Sequence, residues 1–446
     1  MLDIVVLLIW LIMIFGYAFY IRSKYSELEH YKYYLPHLLF KVGFGFVFAL
    51  SYIFYYGGGD TIAYWDMAGC MNKLFKISPE WYFRELLSDP SDPGYINRYN
   101  SETGYPPGWI MREHQGFFVS KIVSFFTFIT ANSYLTISLL FSVISARVSW
   151  RFYDTVRKIV PVTSRWFTYG ILFIPSVAFW CTGISKDTLV VISIFSIVTH
   201  AFTVLNKTAA HPFWSILLIV FHMWILYNVR SVVLITLLIP LFVAVSLRVS
   251  NRFKEHLFFK RLVQVVITGV SITLFFIGIQ SYGEEVSVEN YIKEAEIVQK
   301  DFANNTAYTG KKYTLEVMDY SPLGMIQVFP AAIIAGWYRP FPWEALSPTL
   351  LLNGLESTVL LFLTFRFFIS GRKKRLREIR TNEFLIFALF FVVIFGFVMG
   401  FSSIIFGVLV RLRAPLLPFL TILLTVAQPE VLKVLKGQEE ESIKAP

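Results

Sequence analysis

Apolar runs of about 17–25 residues, separated by polar segments, recur along almost the whole chain; a run of that length crosses a hydrocarbon core of roughly 30 Å as an α-helix. The runs lack the 3.6-residue alternation of an amphipathic helix, which excludes the surface helices of a water-soluble fold. The pattern predicts helices over 2–21, 37–56, 134–150, 166–183, 188–205, 213–228, 231–249, 262–281 and 349–369, a tenth from about 383 and an eleventh over 414–428. Two long polar stretches, 57–115 and 282–322, interrupt them, and 429–446 forms a tail. Two further apolar pieces, 116–131 and 323–338, are shorter; the first carries Lys121 and prolines closely follow the second.

Basic residues set the direction of crossing, because short loops rich in Lys and Arg stay in the cytoplasm. They gather at Arg22 to Lys32, at Arg147 to Arg165, at Arg248 to Arg261, and most densely at Arg372-Lys373-Lys374-Arg375-Leu376-Arg377. Full crossings at 116–131 and 323–338 would turn two of these segments outward. Both pieces are therefore expected to be re-entrant or interfacial, which is allowed where protein or a watery cavity surrounds them. That assignment makes 57–115 and 282–322 extracytoplasmic loops and 429–446 a cytoplasmic tail, with an external N-terminus. The expectation is an all-α, polytopic transmembrane helical bundle of about eleven spans, a single integral membrane domain over 1–446.

Composition supports this class: apolar residues make up 56% and charged ones 16%, against the quarter usual for soluble proteins. The net charge of +10 lies in loops beside apolar runs, so it marks sidedness and contact with membrane lipids, not nucleic acid. Cys70 and Cys181 are far apart without CxxC spacing and read as two separate buried thiols, which excludes a zinc site built on cysteine pairs. The first run lacks a positive n-region and a small-residue cleavage site, so it reads as a retained helix and not a signal peptide.

Charge at helix ends is costly and so marks functional candidates. A transporter would place such charge at the middle of broken, repeated spans. Here it falls at the expected outer ends of several runs: Asp60, Lys186 with Asp187, Arg230, Arg339 with Glu344, and Arg411 with Arg413. Asp60 and Asp66 follow three glycines in Gly57-Gly58-Gly59-Asp60, where the backbone can turn sharply. Asp60 is either a helix N-cap or a carboxylate acting as general base or as ligand, with Asp66, to a divalent metal ion. Lys186-Asp187 is either an interfacial ion pair or a cation holding phosphate with the acid fixing it, and Arg230 would add a second cation or anchor headgroups. Arg339-Pro340-Phe341-Pro342-Trp343-Glu344 reads as a stiff outer loop, and Arg411 and Arg413, just before the last run, want an anionic partner. Gly396, Gly400 and Gly407 are expected to let the tenth helix bend. His114 is the histidine placed for a site; His200 and His222 read as packed. No phosphate-binding Gly-Lys-Ser/Thr loop, HExxH or GxSxG motif is present.

These residues resemble the GT-C superfamily of membrane glycosyltransferases, in an uncharacterised bacterial branch. Gly59-Asp60-Thr61 with Tyr64-Trp65-Asp66 stands where that superfamily keeps an acidic residue in its first outer loop. Arg411-Leu412-Arg413-Ala414-Pro415-Leu416-Leu417-Pro418 is similar to the Arg-Tyr-x-x-Pro-x-x-Pro start of one of its late helices. The chain departs in placing the acid after the second helix and in lacking the large soluble C-terminal domain of oligosaccharyltransferases. The resemblance implies a bacterial inner-membrane enzyme that moves a sugar from a polyprenyl-phosphate-linked donor to a glycan or lipid acceptor on the extracytoplasmic face. Surface-polysaccharide polymerases or ligases share the outer arginines and the lipid pyrophosphate; a transporter or a secretion-system membrane component is the non-enzymatic alternative.

Overall fold

A computed structural model of the chain describes residues 2–90, 92, 98–160, 164–251, 312, 313, 315, 322–345, 347–369 and 372–426, with isolated positions between 258 and 304. Among these residues the regular elements are helices: α1 (Leu2–Lys24), α2 (Tyr34–Leu50), α3 (Asp60–Ile77), α4 (Pro79–Leu87), α5 (His114–Ile129), α6 (Tyr134–Ile159), α7 (Arg165–Leu172) and α8 (Pro175–Trp180). They continue with α9 (Lys186–Leu205), α10 (Pro212–Ser250), α11 (Pro322–Tyr338), α12 (Pro348–Ile369), α13 (Arg372–Thr381), α14 (Glu383–Ser402), α15 (Phe406–Leu412) and α16 (Leu417–Thr425). Eight helical runs among the described residues are long and apolar enough to cross a membrane, so the chain is an all-α bundle of membrane type. The expected helix over 262–281, most of the 282–322 loop and the 429–446 tail lie outside the described residues.

Packing divides the chain into two compact units: 1–152, 175–198 and 216–231 form the first, and 153–174, 199–215 and 232–446 the second. In the first, α1 and α2 close on α6 through Ala18, Leu35, Leu38, Val42, Leu139 and Ala146. The opposite face of α1 stays uncovered, with Ile12 73% exposed, as suits a helix solvated by lipid chains. After α2 and a π turn at Ser51–Tyr55, the chain leaves on Gly57, Gly58 and Gly59 at φ 65°, 137° and 111°. Side chains rarely adopt these values, and the run of three lets α3 begin at once on Asp60.

Within the polar stretch 57–115, expected as an outer loop, α3 and α4 are helical. They fold because their polar groups find partners on α5: Asn72 donates to Thr127 at 3.0 Å, and the Tyr82 and Ser124 hydroxyls bond at 2.9 Å. Ser78 caps α4 and Pro79 opens it, a position where the missing N–H has no intrahelical use. Glu85 is wholly buried; burial pushes its carboxyl up, opposed by hydrogen bonds from Tyr99 at 3.0 Å and Arg98 at 2.6 Å.

In the second unit, α11 runs antiparallel along α14. A Cβ on Gly336 would stand 2.1 Å from the Gly396 carbonyl, and one on Gly400 1.9 Å from the Ala332 carbonyl, so these small residues let two backbones touch. Gly396 and Gly400 thus serve close packing inside a continuous helix, where the sequence suggested a bend. Both short apolar pieces are unbroken helices, α5 and α11. The expected helix over 166–183 is instead two short ones, α7 and α8, since Pro175 lacks the N–H that would continue the first and disfavours helix at Ile174. The expected pair over 213–228 and 231–249 is present as the two helical halves of α10, which meet at Arg230, where the backbone leaves helical geometry (φ −157°, ψ 86°). The last crossing runs from Phe406 to Thr425 through a 3₁₀ turn at Ala414–Leu416, so Arg411 and Arg413 lie inside it and not ahead of it.

Candidate functional site

The charged residues of interest in the first unit sit where helices begin. Gly183, at φ 60°, reverses the chain after α8, and the Ser185 hydroxyl then accepts from the Thr188 amide at 3.1 Å, capping α9. Lys186 and Asp187 are consequently its first two residues, with the acid at the favourable end of the helix dipole. Glu113 stands at the N-cap position of α5 and His114 opens it.

Three polar contacts close these helix ends into a ring. Lys186 Nζ donates to Glu113 Oε1, in a pair 11% and 39% exposed. Arg230 Nη1 meets Asp187 Oδ1 at 2.6 Å, with the aspartate side chain 1% exposed. His114 Nε2 faces Asn228 Oδ1 at 3.0 Å, and its Nδ1 faces Asp89 Oδ2 at 2.6 Å. The Asn228 amide nitrogen donates to the Trp224 carbonyl at 2.8 Å, which fixes its oxygen toward the histidine. Both ring nitrogens of His114 therefore face oxygen acceptors.

This pairing differs from the one expected. Lys186 and Asp187 do not hold each other: Glu113 takes the lysine, and Asp187 takes Arg230. Glu113 is the residue that reasoning by helix-end charge undervalued; its signal was a carboxylate beside His114 just ahead of an apolar run. The ring offers two cations, Lys186 and Arg230, each already balanced by one acid, as a site needs if it must hold charge at a membrane surface without ligand and exchange an acid for an anionic group.

Asp60 is the first residue of α3, and Gly59 occupies the N-cap position, so Asp60 is not the cap. One turn on, the buried Tyr64 ring lies 3.2 Å from where a Cβ on Gly116 would stand, which brings the start of α3 alongside the start of α5. Asp66 is exposed on α3. Six positions along one helix set Asp60 and Asp66 about 9 Å apart in rise and a third of a turn apart in direction. Together they do not fit a shared divalent ion, and among the described residues no group of three His, Cys, Asp or Glu is placed to hold one.

The remaining candidates belong to the second unit. Arg413 is 0% exposed and donates to the Arg339 carbonyl at 2.6 Å, the Trp337 carbonyl at 3.2 Å and the Ser357 hydroxyl at 3.1 Å. Arg339 pairs with Glu344 at 3.3 Å and lies over the Tyr313 ring, while Glu344 also accepts from the Phe341 amide at 2.8 Å. These contacts fix the proline-rich loop that the sequence marked as stiff. Arg411 is half-buried on α15.

Lys41 departs from the helix-end pattern. It lies within α2, 1% exposed; among the described residues its ammonium donates to the Ser145 hydroxyl and the Val177 carbonyl, both at 3.4 Å. Its signal was a lysine inside an otherwise apolar run. No protein-family model, curated protein or solved structure matches the chain.

Proposed function

We propose that this chain is a membrane glycosyltransferase moving a sugar from a polyprenyl-phosphate-linked donor to a glycan or lipid acceptor on the extracytoplasmic face of a bacterial inner membrane. A surface-polysaccharide polymerase or ligase would use the same donor chemistry. The observation that carries the reading is the ring of Glu113, His114, Lys186, Asp187 and Arg230, two cations gathered with acids at helix starts.

Glycosyl transfer from a lipid phosphate breaks the bond between the sugar's anomeric carbon and the phosphate oxygen, and forms one to the acceptor oxygen. The acceptor hydroxyl needs a base, and the departing phosphate needs positive charge. In this reading Asp60 takes the proton, while Lys186 and Arg230 receive the phosphate as Glu113 gives way. Asp60→Asn is nearly isosteric and should abolish turnover of a polyprenyl-phosphate sugar by the purified protein, with expression, melting temperature and donor binding unchanged. Near-full activity in that variant would remove Asp60 from the chemistry; Glu113→Gln, assayed in parallel, would then locate the base.

Sidedness has its own test. Reporter fusions after Lys158, Lys254 and Lys374 should read cytoplasmic, and fusions after Asp92 and Asn305 external. An external signal at Lys158 together with a cytoplasmic one at Asp92 would turn the ring inward, which the extracytoplasmic reading does not survive.

Lys41 favours a second reading, since a charge within a span is a usual mark of a transport path. Movement of a lipid-linked sugar across sealed vesicles without chemistry, lost in Lys41→Met, would establish the transporter and displace the transferase.

A further inference from the structure

The second unit holds a cavity of about 550 Å³ where the ends of α6, α9 and α10 meet the α13–α14 junction. That volume lies within the roughly 300–1,000 Å³ usual for small-molecule sites. None of its lining residues belongs to the ring described above.

The chemistry of the wall selects among ligands. Its cations are already matched by acids: Arg248 pairs with Glu383 at 3.3 Å, and Lys158 with Asp154 at 2.5 Å. Glu383 also accepts from the Asn251 amide at 3.0 Å. Three of the four lining threonine hydroxyls donate to the chain itself, Thr203 to the His200 carbonyl at 2.9 Å, Thr208 to the Thr203 carbonyl at 3.3 Å, and Thr381 to the Arg377 carbonyl at 3.0 Å. Each hydroxyl has one proton, so what these three oxygens have left is lone pairs. Asn382 is used at both ends, its oxygen capping α14 and its nitrogen donating to the Ile159 carbonyl at 2.9 Å.

A wall rich in acceptors, with its cations paired, is poorly suited to phosphate, which needs donors. It suits a neutral ligand that brings its own O–H groups. Phe202 and Phe384, buried and packed edge to face with ring centroids 5.0 Å apart at 71°, close the apolar back of the cavity. We propose that this cavity binds a neutral saccharide, its hydroxyls donating to Thr203, Thr208 and Thr381 while Asn206 exchanges hydrogen bonds with the ring substituents. The proposal does not rest on the transferase reading.

The test uses the full chain in detergent micelles, where both faces are reachable, and saturation-transfer NMR. The probes are glucose, galactose, N-acetylglucosamine, maltotriose and chitotriose. At least one should receive saturable transfer that inorganic phosphate does not displace. Thr203→Val, nearly isosteric, should weaken it about 3–10-fold, the range of one hydrogen bond, and Thr203→Ser should restore it. Asn206→Leu should weaken it with the melting temperature held, which keeps the test valid if Thr203→Val disturbs folding. Asp60→Asn, outside the cavity, should bind the same sugar unchanged even if it is inactive as a transferase. The proposal fails if no probe receives transfer, if phosphate displaces the sugar, if both cavity variants bind as wild type, or if Asp60→Asn removes the signal.

Discussion

Arg230→Ala should destabilise the purified protein by about 3 kcal/mol in a detergent unfolding titration, because it strands a buried carboxylate. Asp187 is 1% exposed, and the Arg230 guanidinium stands 2.6 Å from its oxygen. Without that cation the aspartate remains charged in a poor environment or is forced to take up a proton, and either outcome weakens the fold. The double variant Arg230→Gln with Asp187→Asn keeps the shapes without the charges and should recover most of the loss. That recovery follows if the single-variant cost is the stranded charge and not the contact itself. Donor binding should fall in the double variant although stability returns, since no cation would then remain at that position to meet a phosphate. A double variant as unstable as Arg230→Ala would show that the bend at Arg230, and not its charge, is what α10 needs.

Arg413→Ala is the other large effect expected, again at least about 3 kcal/mol of stability, with a clear fall in melting temperature. The side chain is wholly buried, and three hydrogen bonds tie the last crossing to Trp337, Arg339 and Ser357. Alanine would leave two carbonyls and a hydroxyl facing a cavity. Arg413→Lys, a single ammonium in place of a fork, cannot reach all three and should fall between wild type and alanine. Arg411 is half-buried, and Arg411→Ala should change stability far less. A stable Arg413→Ala that loses only donor binding would instead return Arg413 to the phosphate clamp implied by the sequence.

Some of this was legible in the chain alone. A run such as Leu2–Lys24 or Glu383–Ser402 is helical and apolar enough to cross because each residue's transfer energy and the need to satisfy every backbone group locally act without reference to distant partners. The charged helix ends were legible for the same reason, since Lys186, Asp187 and Arg230 interrupt apolar sequence at a recognisable cost. Partnership was not. That Glu113 and not Asp187 takes Lys186, that Arg413 is buried against backbone carbonyls, and that Gly396 and Gly400 seat another helix are properties of pairs of residues. So is the helical folding of 60–77 and 79–87, whose polar side chains look like loop until α5 supplies partners for Asn72 and Tyr82. The sequence by itself determined which long apolar runs are helical and which residues bear costly charge, because those are energies of single residues in their solvent. Only the tertiary structure decided which charges meet, because an ion pair depends on distance and burial that no spacing along the chain encodes.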